Sequence, residues 1–170
     1  GAAGKWRPGY FAKAVKNTVT QCVPTSYGIA TMVMMALIMN DTGMTDVLAH
    51  GLAKATGAVF PIFSPYIGVL GTFLTGSNTN SNVMFGQLQY ATAQSLGIST
   101  IIICAAQSVG VSLGSSIAPS KVLIGSATVG LEGRESEVMK RTIPYCLAIV
   151  LLVGISTGLF ASYWFPHLNP

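Results

Sequence analysis

The chain has 170 residues, of which 51% are hydrophobic and only 8% charged, against about 25% charged in ordinary soluble domains. That shortage excludes a water-facing surface of the usual kind. Of the nine basic residues, four lie in the first 16 residues and three at Arg134, Lys140 and Arg141, which excludes the single basic face of a nucleic-acid-binding protein. From Ala55 to Ser120 no residue carries a charge. Such a run fits a bilayer, where a charge at the centre costs at least about 2.5–3.5 kcal/mol. The composition therefore predicts an all-α integral membrane protein whose solvent is the lipid bilayer.

Residues 1–17, with Lys5, Arg7, Lys13 and Lys16, read as a basic cytoplasmic segment, a loop or a surface helix. Residues 18–39 are uncharged and predict a first span, since about 20 residues at about 1.5 Å each cross a bilayer core. Asn40 to Gly43 breaks it. Residues 44–56 put Val47, Leu48 and Leu52 on one face and Asp46, His50 and Lys54 elsewhere, the pattern of an interfacial helix. Residues 58–96 predict two helical arms around a polar heptad, Gly76 to Asn82. Ser64-Pro65 is a good helix start, Asn80 or Ser81 can start the second arm, and Gly97 ends it. The expected arms are too short to cross, so the pair reads as a re-entrant hairpin with its tip in mid-membrane. Two full spans joined by a hydrophilic loop remain the alternative.

Residues 98–131 read as a broken helix, interrupted at GSSIAPSK, Gly114 to Lys121. Residues 132–141 are a charged loop. Residues 142–165 predict a last span that ends in the aromatic cluster Tyr163-Trp164-Phe165. Both basic clusters fall on the cytoplasmic side if 58–96 crosses an even number of times. Hairpin and double span both satisfy that, so charge does not choose between them.

The heptad offers Ser77, Asn78, Thr79, Asn80, Ser81 and Asn82. Uncharged amides and hydroxyls can coordinate a carboxylate or a cation at less burial cost than an ion incurs. Ala118-Pro119 or Ser120 can start the second half of the broken helix. Two helix N-termini would then face one cavity, which favours an anion. Lys121 lies about 16 Å along a helix from Glu132. It is expected to be either a counter-charge to a substrate carboxylate or a lysine that reaches the interface through an unwound segment. Gln107, Ser112 and Ser116 are candidate polar liners, and each is equally explained as an interhelical hydrogen bond. Gly110 and Gly114 predict a close-packing face. Cys22, Cys104 and Cys146 sit in separate apolar segments and read as small buried hydrophobes. No nucleophile–base pair, metal-ligand set or cofactor motif is present in the pattern, so an enzyme is not expected.

The stretches SPYIGVLGTFLTGSNTNSNVMFGQLQYATAQSLGI and AAQSVGVSLGSSIAPSKVLIGSATVGLEGRESEV resemble the L-lactate permease family of bacterial secondary transporters. The resemblance rests on the LTGS-x-T-x-SN block, the TAQ-x-x-G after it, the proline break and the GL-x-G-[RK]-E loop. It implies a multi-pass protein of the cytoplasmic (inner) membrane that carries lactate or a similar small monocarboxylate with protons. The chain would be the C-terminal portion of a longer protein, and a missing N-terminal half would supply an inverted repeat of the same elements. The Ser77-Asn78-Thr79 triplet resembles the hairpin-tip signature of a broader ion-transporter superfamily, where it sits at the substrate and cation site. Many family members carry a lysine four residues before the proline of the break. Here that position is Ser115, and the lysine is Lys121. Two rival functions are a sodium-coupled organic-anion transporter and a non-transporting membrane scaffold, which would tolerate bulky apolar residues in the heptad.

Overall fold

The computed structural model describes residues 10–131 and 133–164. The expectations placed on Lys5, Arg7, Glu132 and Phe165 lie outside the described residues, as does that on the Cys22 side chain. Every described element is helical. In chain order they are α1 (Tyr10–Asp41), α2 (Met44–Thr56), α3 (Phe60–Thr75), α4 (Asn78–Leu96), α5 (Thr100–Gly114), α6 (Pro119–Thr128) and α7 (Glu135–Leu159), followed by a π-helical turn at Phe160–Trp164. Among the described residues three stretches are long and apolar enough to cross a membrane, Met44–Thr75, Thr100–Thr128 and Glu135–Trp164.

Several boundaries differ from the sequence reading. α1 begins at Tyr10, so Lys13 and Lys16 lie in the same helix as residues 18–39. α2 is joined to α3 by a single 3-10 turn, Gly57–Val59. Gly57 makes that turn possible at φ 51°, ψ −134°, a conformation that costs a residue with a side chain far more. α3 opens at Phe60 and not at Pro65. Pro61 sits in the first turn, where its missing N–H would have had no partner in any case. Pro65 then lies inside the helix.

α3 ends at Gly76, which is left-handed at φ 67° and donates its N–H to the Thr72 carbonyl at 2.8 Å. α4 starts at Asn78, earlier than expected. Ser77 is extended, and its hydroxyl accepts the Asn80 N–H at 3.3 Å, a side-chain N-cap. The arms are therefore 16 and 19 residues long, about 24 and 28 Å. They are longer than the sequence predicted, and their length alone does not distinguish a hairpin from two spans.

α3 is the central element. It packs on α4, α5 and α7, and glycines set its distance from two of them. A Cβ on Gly110 would run into the Pro65 carbonyl group, and one on Gly114 would meet the Val69 backbone. Gly68 returns the arrangement, facing the Gln107 carbonyl, and Gly154 of α7 faces the Ile62 carbonyl. Gly110 and Gly114 thus form the close-packing face expected of them. In lipid there is little hydrophobic drive between helices, so close packing and hydrogen bonds hold them.

Polar cross-links accompany the glycines. The Gln89 amide, fully buried in α4, donates to the Ser64 carbonyl at 2.8 Å and to Gln107 Oε1 at 2.9 Å. Two apolar clusters flank this core. One is built on Val69, Ile117, Cys146 and Val150, the other on Phe60, Ala93 and Ile103. At the start of α7, Gly133 donates its N–H to Glu135 Oε1 at 2.9 Å, and Arg134 pairs with Glu137 at 2.7 Å. Acid at the helix N-terminus also suits its partial positive charge.

Replacing Gly110 by Leu is expected to force α3 and α5 apart at a cost of about 1–3 kcal/mol or more. Gly125→Leu, at a position with open space beside it, is the control. Thermal unfolding of the purified protein in detergent should separate the two variants by several degrees, with only Gly110→Leu shifted down.

Candidate functional site

The two interruptions predicted from the sequence, the tip after α3 and the break after α5, meet in space. α5 ends at Gly114 and α6 starts at Pro119, so residues 115–118 are unwound. A Cβ on Gly76 at the tip would collide with the Ser120 hydroxyl of α6. The left-handed glycine is thus needed twice, for its backbone angle and for its lack of a side chain.

The tip is organised by short-range hydrogen bonds. Thr75 Oγ1 lies 2.8 Å from the Gly71 carbonyl oxygen and 3.0 Å from that of Ser77, and accepts the Ser77 N–H at 3.2 Å. This fixes Asn78 at the first position of α4 with its amide directed at the break. Asn78 Oδ1 accepts from the Ser115 hydroxyl at 2.6 Å and from the Lys121 ammonium at 3.1 Å, and the same ammonium donates to Ser115 Oγ at 2.5 Å. Asn78, Ser115 and Lys121 form a closed triangle. The first turns of α4 and α6 both begin in it, so two partial positive helix ends converge on one place.

Beside the triangle is a cavity of about 300 Å³, lined on its polar side by Ser115, Ser116, Lys121 and Ser126 and on its apolar side by Val122 and Val138. Ser126 is buried, and its hydroxyl has no hydrogen-bond partner. A buried hydroxyl left unpaired is costly, and this one lies in the wall of a space large enough for a small organic anion.

The candidate residues divide into three sets. Asn78, Ser120 and Lys121 are brought together at the meeting of tip and break. Ser77 caps α4, and Asn80 supplies the capped N–H. Thr79 and Asn82 are exposed in the first turns of α4. Ser116 is exposed at the cavity wall and donates to the Leu113 carbonyl at 2.7 Å. Ser81 and Gln107 are elsewhere. Ser81 is fully buried and donates to the Gly68 carbonyl at 3.1 Å, while Gln107 is engaged with Gln89. Ser112 donates to Ser108 within its own helix. The Lys121 ammonium turns to the tip, where it meets Asn78 and Ser115. Sequence reasoning did not choose Ser115 or Ser126 as site residues. Ser115 stood in the polar break GSSIAPSK, and only the position of Asn78 across the fold distinguishes it from Ser116. Among the described residues no three His, Cys, Asp or Glu side chains gather as metal ligands.

Three stretches long and apolar enough to cross a membrane, with one uncharged polar tip and one lysine at the break in a helix, define a helical membrane protein. The chain belongs to the L-lactate permease family, whose model matches residues 4–163. It is 37% identical over 157 residues to the L-lactate permease of Salmonella typhi, covering 92% of this chain and 28% of that protein. It is 41% identical over 144 residues to the L-lactate permease of Bacillus subtilis, covering 85% and 25%. It is also 41% identical over 133 residues to the glycolate permease GlcA of Escherichia coli K12, covering 78% and 24%. The chain therefore spans about a quarter of the length of these curated relatives. Their names are those of transport proteins and not of enzymes. No solved structure matches the chain.

The triangle makes a measurable claim. Asn78→Ala and Ser115→Ala should each lower thermal stability, and the double variant should lose less than the sum, with a coupling of about 0.5–3 kcal/mol. Additivity within about 0.3–0.5 kcal/mol would mean that tip and break do not touch.

Proposed function

We propose that the chain forms part of a secondary active permease that moves lactate, or a similar small monocarboxylate, together with protons across the bacterial cytoplasmic membrane. The observation that carries this reading is the hydrogen-bonded contact of Asn78 with Lys121. It joins an uncharged polar tip to the single charge within residues 55–131. The substrate carboxylate lies against the Lys121 ammonium, in the cavity that Ser115, Ser116 and Ser126 line, with Asn78, Thr79 and the start of α6 at Ser120 closing the tip side. The names of the relatives, lactate and glycolate permeases, agree with a site of this size and charge. Both are small 2-hydroxy monocarboxylates, and both present the same anionic group.

The hairpin reading gains support from the contact as well. Ser115 to Lys121 lies midway along the stretch Thr100–Thr128. If that stretch crosses the membrane, a tip that touches its middle is itself at mid-depth. α3 and α4 are then a re-entrant hairpin, and their non-helical turn lines a cavity, the setting in which such backbone is tolerated in lipid. A site at the midplane between interrupted helices can be exposed to either side in turn. The remainder of the permease, about three quarters of the length of the relatives, includes a repeat of these elements in inverted topology that closes the other wall.

Uptake of labelled lactate by cells expressing the complete gene tests the reading. Asn78→Ala is expected to lower uptake about tenfold, the loss of one hydrogen bond to a charged group, with protein in the membrane unchanged. A Thr79→Cys variant should react slowly with a membrane-impermeant thiol reagent and be protected by lactate. Fast labelling that ignores lactate would reject the buried site.

A further inference from the structure

We propose that the Lys121 ammonium is a tethered cation, held on the tip in the place that a dissolved alkali ion would otherwise occupy, and that it makes the site indifferent to sodium. The inference rests on the transport reading for its meaning, but its geometry stands independently.

The tip offers a cation two side-chain oxygens that converge at the joint, Asn78 Oδ1 and Ser115 Oγ. Both already hold the ammonium, at 3.1 and 2.5 Å. An amide oxygen has two lone pairs. On Asn78 one receives Lys121 and the other receives the Ser115 hydroxyl at 2.6 Å. Ser115 has one hydrogen, and it is spent on Asn78. Both lone pairs of the Asn78 amide oxygen are therefore taken, and Ser115 Oγ keeps only one, so a second cation would find a single free lone pair on the triangle. Of the neighbouring hydroxyls, Ser77 Oγ accepts the capping N–H of Asn80 and Ser116 donates its hydrogen to the Leu113 carbonyl.

Charge gives the same answer. No other Asp, Glu, His, Lys or Arg lies between Ala55 and Leu131. At the joint the partial positive ends of α4 and α6 stand beside the partial negative ends of α3 and α5, so the full charge of the ammonium sets the sign of the field. A sodium ion arriving there meets repulsion and finds no carboxylate to offset it. An anion meets the reverse. The lysine thus does two things with one charge: it fills the cation's ligands and it presents the counter-charge for a carboxylate. Its stem is anchored in the first turn of α6, so the cation cannot leave.

Remove the ammonium and the same oxygens are free. In Lys121→Gln and Lys121→Met, Asn78 Oδ1 and Ser115 Oγ become available to a small dissolved cation. The complete permease and both variants, purified in detergent, are unfolded thermally in sodium chloride and in choline chloride at equal ionic strength. The native protein should melt at the same temperature in both. The variants should melt several degrees higher in sodium, because a ligand that binds only the folded state stabilises it. In proteoliposomes with a fixed proton gradient, native lactate uptake should be unchanged when choline replaces sodium.

Sodium-dependent melting of the native protein, or native uptake that falls when sodium is withdrawn, would overturn the proposal. So would variants whose melting ignores sodium. If the native protein takes up no lactate under any gradient, the transport reading fails, and the melting comparison still decides whether Lys121 occupies a cation's place.

Discussion

Direct contact between the backbones of α3 and α5 determines where everything else lies. Gly68, Gly110 and Gly114 strip the side chains from that contact, so the two helices touch along their length and not at one crossing. A helix pair this close has little freedom to slide, because each glycine faces a particular carbonyl or Cα. The end of α3 and the end of α5 are therefore brought to the same level, and both chains are interrupted there. The tip meets the break because the glycines set the register. The Asn78 and Ser115 side chains then need only be the right length to join.

The second constraint is the cost of charge in lipid. The chain places a single ionisable group in a run of otherwise neutral residues, and it does not leave that group to hydrocarbon. Two oxygens receive the ammonium, and the unwound segment 115–118 supplies one of them. Unwinding has its own cost, since backbone groups lose helical partners. Part of it is offset locally: Ser116 and Ile117 donate their N–H groups back to Leu113 and Gly114, and Lys121 and Val122 both donate to the Ala118 carbonyl. The break is a tight turn with its hydrogen bonds largely accounted for. Its geometry belongs to the fold and does not wait for a ligand.

Much of this was legible in the sequence. The lack of charge from Ala55 to Ser120 gave the membrane class. Pro119 after a polar run gave the break, and the polar heptad Gly76 to Asn82 between apolar stretches gave the tip. What could not be read was which polar side chains cross between helices. Ser81 and Asn78 are both polar residues of the same heptad, yet they are three positions apart on α4 and point about 60° apart around it. One is buried against Gly68, and the other faces α6. The period of a helix predicts that they differ, but not which is which. Gln107 misled for a similar reason: a polar residue in an apolar helix can line a cavity or cross-link a core, and the choice depends on Gln89, 18 residues away. The starts of α3 and α4 were missed by five and two residues, because a serine cap and a proline in the first turn are each satisfied at more than one neighbouring position; α1 and α7 start eight and seven residues before the expected spans, because their helices run on into charged sequence.

The Gln89–Gln107 pair shows why the core and the site use different chemistry. α3, α4 and α5 need a polar link that survives in lipid, and a salt bridge would supply one. Two ions there would also be costly to desolvate, and each would add its field to that of Lys121 one or two helical turns further on. Neutral amides hold the three helices without either penalty. Gln89 reaches the Ser64 carbonyl beside Pro65, in the part of α3 where the proline ring has removed an N–H donor. The amide ties α4 to that turn, and it adds no charge to the potential at the joint. A wall that is polar enough to cohere yet electrically silent is what lets one ammonium define the sign of the site.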